Sequence, residues 1–169
     1  MLFLLFELDG DRYALAAAEI VEVLPLQPVK AIPGAPAWVA GIFERQGQLV
    51  PVLDVSRLAL GRDALRLRST RLVVARYVAA PVDHAAVQRG DQGPENQLGL
   101  IVERATRTRR IEPDHFVASG VATPHARWLG PVATDAVGLV QWVQVQHMLD
   151  DSVKSMLFPH TPSAADLSP

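Results

Sequence analysis

The 169-residue sequence contains no cysteine, and this absence excludes several kinds of site. A chain without thiols forms no disulfides, offers no thiolate ligands to a metal and has no cysteine nucleophile. Long apolar runs are also missing, because the N-terminal run covers about six residues whereas a membrane-spanning helix needs about 20. The composition therefore predicts a soluble, cytoplasmic protein without a membrane-inserted segment.

A strong net charge is absent as well. Lys and Arg together number 16 against 18 Asp and Glu, which gives a formal charge of −2. Such a balance produces no field that would attract nucleic acid or an anionic membrane. The basic run RATRTRR, residues 104–110, lacks interleaved aromatics, and its alternating Arg and Thr favour one polar face of a strand. We predict no nucleic-acid partner.

Convergent catalytic groups are missing too. The sequence has no HExxH, GxSxG, Walker or GxGxxG motif, and its acidic residues are spread along the chain. The histidines are scattered without a pair at helical spacing: His84, His115, His125, His147 and His160. This pattern favours a binding or scaffolding module over an enzyme and predicts no metal and no cofactor.

The first half of the chain is rich in strand and turn signals. Asp9-Gly10 between apolar stretches predicts a hairpin with a type I′ turn. Residues 16–24 fit a helix or a strand by periodicity, and their β-branched content favours a strand. Pro51 removes a ladder donor, which predicts an edge position or a bulge. Ser56 and Gly61 bracket a single predicted helical turn as N-cap and C-terminal glycine, and the aspartate before them, Asp54, also fits a cap.

The second half repeats this alternation with a longer connection. Residues 71–78 and 138–145 predict strands, and residues 79–97 predict a long loop rich in Pro, Gly and polar side chains. Apolar residues at helical spacing predict a closing amphipathic helix over about 145–157. The segment 159–169 is polar and contains proline, so we expect a disordered tail.

An internal repeat is visible when residues 49–60 are set above residues 139–150. The apolar positions coincide at an offset of about 90 residues, and Gly41 falls near Gly130. A weaker echo relates RYALAAAEIVEV to QLGLIVERATRT. Two halves of about 80 residues each predict a duplicated small β-barrel, with one larger sandwich as the alternative. Two barrels would leave a groove between them, which is a common place for a binding site.

Several stretches in this order resemble a known family. FELDGDRYALAAAEIVEVL is similar to its opening hairpin and next strand, and AIPGAPAWVAGIFERQGQLVPVLDV to its proline–glycine segment, its loop and its VPVVDL-type strand. STRLVVARY, LGLIVERATRTRRIEP and WLGPVATDAVGLVQWVQVQHML are similar to the later segments. Over residues 3–150 the sequence resembles the CheW-like domain family, the coupling proteins of bacterial chemosensory arrays.

The resemblance implies an all-β fold of two intertwined, five-stranded SH3-like barrels with short helices. It implies one domain over residues 1–158, with a first barrel at about 12–68 and a second at about 69–150 that also holds the N-terminal strand. It implies no catalysis. Such proteins bridge the signalling tip of a methyl-accepting chemoreceptor, held in the groove between the barrels, and the regulatory domain of a CheA-type histidine kinase, which packs on the first barrel.

The resemblance also implies a set of receptor-binding positions. They are Ile20, Glu22, Val23, Gly41, Gln46, Gly47 and Val73. At Gln46 the family usually has an arginine, and the neighbouring Arg45 would point to the opposite strand face. This departure and the 79–97 loop suggest a divergent, non-motility array of the Wsp-like kind, which controls surface behaviour or a second messenger.

Other interpretations remain open at this stage. The groove of a β-barrel protein could serve as a pocket for a small ligand or for catalysis, with Glu44 or Glu103 as the base. The chain could be one domain of a longer kinase or response-regulator fusion, although Met1 and the polar tail favour a stand-alone chain. Apolar strand edges also make self-association between CheW-like chains possible.

Overall fold

The computed structural model describes residues 1–78 and 96–159, so the predicted loop and tail lie almost wholly outside the described residues. Within that part the chain is mainly β, with two short α-helices and three single turns of 3-10 helix. The strands are β1 Leu2–Leu8, β2 Asp11–Ala16, β3 Ile20–Pro25, β4 Val39–Arg45, β5 Gln48–Asp54, β6 Arg71–Tyr77, β7 Asn96–Val102, β8 Arg107–Arg110, β9 Leu129–Thr134 and β10 Leu139–Val143. The helices are α1 Val55–Leu60 and α2 Asp151–Leu157, and neither is long and apolar enough to cross a membrane.

The strands form two five-stranded sheets with the same order of pairings. Sheet A runs β8-β1-β2-β10-β9, and sheet B runs β3-β6-β7-β5-β4. Each sheet contains one parallel pair, β10 with β2 or β5 with β7, and all its other pairs are antiparallel. The predicted mainly-β fold of two five-stranded units is therefore confirmed.

The repeat recognised in the sequence is also present in the backbone. The N–H of Asp54 donates to the carbonyl of Trp38 at 2.8 Å. About 90 residues later, the N–H of Gln144 donates to the carbonyl of Trp128 at the same distance. The first bond joins the last residue of β5 to the residue before β4. The second bond joins the residue after β10 to the residue before β9. The two halves therefore share hydrogen bonds as well as apolar positions.

The division of the strands between the sheets differs from the predicted boundary at residue 69. β6 and β7, predicted for the second barrel, pair with β3 and β5 in sheet B. β2, predicted for the first barrel, pairs with β1 and β10 in sheet A. The chain crosses between the sheets after β2 and again after β7. Each sheet is therefore completed by strands distant in sequence, and the two are intertwined.

Three apolar clusters fill the described part of the molecule. One lies inside sheet A, where the rings of Phe3, Phe116 and Trp142 meet at centroid distances of 5.0–5.3 Å. A second lies inside sheet B around Val52 and Leu72. The third and largest combines side chains of both sheets, and we call it the shared core. Because this cluster joins the sheets, its margin is where a groove between them begins.

The predicted caps of α1 are partly confirmed. Gly61 ends the helix in the left-handed region with φ 72°, as predicted. Ser56 is not the N-cap, because the carboxylate of Asp54 accepts the N–H of Arg57 at 3.1 Å. Ser56 is instead fully buried and hydrogen-bonds the carboxylate of Glu103. The longer Asp side chain, one residue before the helix, reaches the free N–H that a cap must satisfy.

The sequence predicts an edge strand or a bulge at Pro51, but the structure places the proline at neither. β5 lies between β4 and β7. Opposite Pro51, Ile42 exchanges its backbone hydrogen bonds with Lys30 at 2.8 and 2.9 Å, so β4 requires no donor from the proline. The parallel pairing with β7 begins only at Val52. The missing N–H therefore falls where no ladder bond is needed.

The predicted closing helix over 145–157 is divided in two. A 3-10 turn covers Val145–His147, and α2 begins after Asp150, whose carboxylate accepts the N–H of Val153 at 2.8 Å. Aspartate at an N-cap offers the chain a new helix start. The prediction of helical structure in this segment is confirmed, but the prediction of one continuous helix was wrong.

Two strand edges stay open within the described residues. The outer edge of β4 is covered by a bridge from Lys30 to Ile42, and that of β9 by a bridge from Val117 to Val132. No further strand of the described part pairs with the outer edges of β3 and β8. These two strands occupy equivalent ends of sheets B and A.

Candidate partner-binding surface

β3 carries the apolar part of the surface that the sequence predicted. Ile20 lies opposite Ala75, and Val23 opposite Val73, two residues of the shared core. Residues three apart on a regular strand would face opposite sides, but a register shift between Ile20 and Glu22 adds one residue and restores a common face. Ile20 packs on the shared core, whereas Val23 remains 43% exposed. The two side chains form an apolar step from the core to solvent.

The polar part is the tight turn between β4 and β5. Arg45 pairs with Gln48, and both residues between them have positive φ, 49° for Gln46 and 78° for Gly47. This is the type I′ geometry of two-residue hairpins, which favours glycine at its second position. The Gln46 side chain is exposed and makes no hydrogen bond with the described residues. It is free to contact a partner.

An ion pair connects this turn to β3. The Arg45 guanidinium donates from Nε to Glu22 Oε2 at 2.8 Å, and its Nη2 lies 2.7 Å from the same oxygen. β4 and β3 are opposite edges of sheet B, so the pair closes the sheet into a barrel. It also brings Glu22 beside Gln46-Gly47. The sequence predicts a different strand face for Arg45 than for Gln46, but it does not indicate Glu22 as the partner of Arg45.

Two predicted site residues lie inside the protein. Val73 has no exposed surface and lies opposite Val23, in the shared core. Gly41 is buried with φ 149°, and a Cβ there would lie 2.2 Å from the carbonyl oxygen of Lys30. The close approach of the segment that covers β4 therefore requires glycine. The exposed candidate surface consists of Val23, Gln46 and Gly47, with Ile20 and Glu22 half-buried at its border.

Comparison with protein families decides what kind of chain carries this surface. The family model described as "CheW-like domain" matches residues 2–153. The chain belongs to the CheW-like domain family. A curated relative, "Chemotaxis protein CheW" of Treponema pallidum, is 26% identical over 109 residues, which cover 64% of this chain and 57% of that protein. The chain thus aligns with little more than half of the length of this relative.

A solved structure shares the CheW-like fold. The crystal structure of scaffolding protein TtCheW from Thermoanaerobacter tengcongensis matches with a TM-score of 0.71 and 16% sequence identity. The match covers 88% of this chain and 87% of the other. The predicted two-barrel fold therefore agrees with that of a solved CheW protein.

The CheW-like repeat has a second closing cluster, in sheet A, with its charges reversed. There Asp135, after β9, accepts from Arg12 Nη1 of β2 at 3.0 Å and also from Arg109 of β8. In sheet B the corresponding strands hold Arg45, on β4, and Glu22, on β3. The hydrogen bond from Arg12 lowers the pKa of Asp135 well below its usual range. Equivalent edges thus differ in chemistry: β3 is apolar and acidic, and β8 is basic.

A third ion cluster concerns Glu103, which was considered as a catalytic base. Its side chain is buried, accepts from Arg62 Nη1 at 2.8 Å and is hydrogen-bonded by Ser56. Burial alone would raise the pKa of Glu103, but these hydrogen bonds together lower it. A general base at neutral pH needs a raised pKa, so the arrangement favours a structural role. The other candidate, Glu44, is exposed on the outside of β4.

The histidines show no common site in the described part of the CheW-like chain. His115, His125 and His147 are each exposed, and no three potential metal ligands come together among the described residues. His84 and His160 lie outside the described residues.

Proposed function

We propose that this CheW-like chain is a non-enzymatic adaptor of a bacterial chemosensory array, acting in the cytoplasm. It couples the signalling tip of a methyl-accepting chemoreceptor to the regulatory domain of a CheA-type histidine kinase. The observation that carries the proposal is the apolar step of Ile20 and Val23, which continues the shared core to the surface beside the polar hairpin turn. Membership of the CheW-like family supports it.

The chemistry of this surface suits the tip of a helical receptor hairpin. Val23 offers apolar area that a helix can cover, and burial of such area contributes about 25 cal/mol per Å². Gln46 offers both a hydrogen-bond donor and an acceptor at the tip of the turn. The Arg45–Glu22 pair holds β3 and the turn in fixed relation, so little ordering is needed when the partner binds.

Replacing Val23 with glutamate is expected to weaken receptor binding at least about tenfold, because it places a charge in the apolar contact. Val23 is 43% exposed, so the free energy of unfolding should change little. Binding of a purified receptor signalling domain is measured by isothermal titration calorimetry. The matched control is Val121→Glu, at an apolar residue 70% exposed outside the strands. Equal affinities of the two variants would remove Val23 from the receptor contact.

Gln46 offers a gain-of-function test. Gln46→Arg is expected to strengthen binding to a receptor of the usual family type about fivefold, because a guanidinium forms charge-assisted, bidentate hydrogen bonds. Gln46→Lys adds the same charge without the planar, bidentate geometry of a guanidinium, so the affinity for the receptor should increase less. The gain should decrease at high salt. If arginine and lysine have the same effect, or neither has any, the residue at position 46 makes no bidentate contact with the receptor.

Two experiments test the proposal as a whole. Pull-down at micromolar concentration should recover both a receptor signalling domain and a CheA-type kinase; recovery of neither contradicts it. The chain has no cysteine, so Gln46→Cys introduces a single crosslinking site at the turn. Identification of the captured protein would show which receptor the chain binds and whether the array controls motility or, as the Gln46 departure suggests, another behaviour.

A further inference from the structure

The open edge of β8 has a chemistry that the proposed receptor contact does not use. The turn before β8 and the strand itself contain four arginines, Arg104, Arg107, Arg109 and Arg110, and all four are exposed. The chain as a whole has a charge of −2, so this concentration of positive charge is local. Arg109 binds Asp135, whereas the other three form no ion pair within the described residues.

A cleft of about 600 Å³ lies on the face of sheet A that β8 shares with β1 and β2. Its lining includes Arg12, Arg104, Arg107, Arg109, Thr106 and Thr108. Glu7 is the only acidic residue of the lining, and Asp135 neutralises part of the charge of Arg12 and Arg109. Positive charge remains in excess, and the threonine hydroxyls add groups that can donate to an anion.

The backbone of β8 offers unused hydrogen-bonding groups at the same edge. The N–H of Ile111 donates to the carbonyl of Met1 at 2.9 Å, so these two residues form a hydrogen-bonded pair. In an antiparallel ladder such pairs alternate, which places the next ones at Arg109 and Arg107. The N–H and C=O groups of Thr108 and Arg110 therefore point away from β1. No strand of the described residues accepts them.

We propose that this edge binds an acidic, extended segment of a partner protein, which adds to sheet A as a strand beside β8. Strand addition would satisfy the outward groups of Thr108 and Arg110. Carboxylates on the added strand would pair with Arg104 and Arg107. Charged residues on an edge normally prevent pairing with other strands. An arginine-rich edge still excludes neutral and basic strands but attracts an acidic one, so the same side chains provide selectivity.

A peptide is favoured over nucleic acid for two reasons. No aromatic side chain lines the cleft, so it offers nothing on which a base could stack. The outward amide and carbonyl groups match the alternating donors and acceptors of a peptide strand. The contact is independent of the proposed receptor surface, because β3 belongs to sheet B.

The test uses a fluorescently labelled eight-residue peptide of alternating glutamate and valine, which places all its carboxylates on one strand face. Fluorescence anisotropy should show binding that weakens with salt. The corresponding lysine–valine peptide should not bind. Arg104→Glu combined with Arg107→Glu should weaken binding of the acidic peptide at least about tenfold. Val23→Glu, which affects the receptor surface, should leave it unchanged.

A second pair of variants tests strand addition itself. Thr108→Pro removes an outward N–H without removing a ladder bond to β1, and proline is tolerated on an edge strand. We expect about tenfold weaker peptide binding for Thr108→Pro and less than a twofold change for Thr108→Ala. Circular dichroism checks that both variants fold, and if the proline variant unfolds, chemical-shift changes of the Thr108 and Arg110 amides on peptide addition replace it. Three results would each overturn the proposal. The acidic peptide does not bind at millimolar concentration, or the basic peptide binds equally well, or folded Thr108→Pro and Thr108→Ala bind the acidic peptide with equal affinity. Displacement of the acidic peptide by equimolar inorganic phosphate or single-stranded DNA overturns it too.

Discussion

Glu103→Gln is expected to lower the free energy of unfolding by about 3 kcal/mol at pH 7, since it breaks a buried ion pair and leaves Arg62 without its main partner. Glu103 is fully buried, while the Arg62 side chain is 32% exposed and keeps Asp9 as a second partner at 2.6 Å. This partial exposure places the loss at the lower end of the range for buried pairs. Ser56, buried beside the carboxylate, also loses its charged acceptor.

The effect should depend on pH with a definite sign. The folded-state pKa of Glu103 is lowered from its ordinary value of 4.5. A carboxyl group with a lowered pKa contributes stability that is present above the unfolded-state pKa and is lost as pH falls through the folded-state pKa. The difference in the free energy of unfolding between wild type and Glu103→Gln should therefore have its maximum value at pH 7 and decrease below about pH 4.5.

Urea unfolding at pH 7 and at pH 4, followed by circular dichroism, measures both quantities. The matched control is Glu112→Gln, an exposed glutamate without an ion pair in the described part of the chain, for which we expect less than about 0.5 kcal/mol. If Glu103→Gln is as stable as this control, the ion cluster of Glu103, Arg62 and Ser56 contributes nothing to the stability of the fold. A difference independent of pH would show that shape, rather than charge, holds the position.

Gly41→Ala is expected to destabilise the protein by about 3 kcal/mol or more, and an unfolded variant is within this expectation. The new Cβ would lie 2.2 Å from the carbonyl oxygen of Lys30 and 2.7 Å from its carbonyl carbon. Both are backbone atoms, so relief requires the covering segment to move away. That movement would break the bridge between Lys30 and Ile42 and expose the edge of β4.

Gly47→Ala separates the steric clash from the backbone preference. Gly47 has φ 78° and nothing within 4 Å of its added Cβ, so only the left-handed conformation is penalised, by about 1 kcal/mol. The midpoints of thermal unfolding of Gly41→Ala and Gly47→Ala should differ by several degrees, with Gly41→Ala the lower. Similar losses in both would show that the segment around Lys30 adapts without cost. The result matters for function, because loss of partner binding in a Gly41 variant would report a displaced strand rather than a lost contact.

The candidate surface illustrates which functional residues a sequence can indicate. Val23 and Gln46 were proposed through the family resemblance, and both lie on the surface. Val73 was placed beside them for the same reason but is buried, since strand periodicity marks an apolar position without telling which sheet covers it. The partner of Glu22 was not predicted, because Arg45 lies 23 residues away on another edge.

The strand-rich composition, the repeat at about 90 residues and membership of the CheW-like family can be predicted from the sequence, because they depend on local periodicity and on the order of short motifs. The way in which the ten strands of the described residues are shared between two sheets becomes visible only in the tertiary structure. The parallel pairs β5 with β7 and β10 with β2 join segments distant along the chain, and no local pattern specifies such partners. The tertiary structure also shows that Ser56 binds Glu103 instead of capping α1, and that an extra residue in β3 turns Ile20 and Val23 to one face. In each case the outcome depends on which atoms the completed fold brings within a few ångströms.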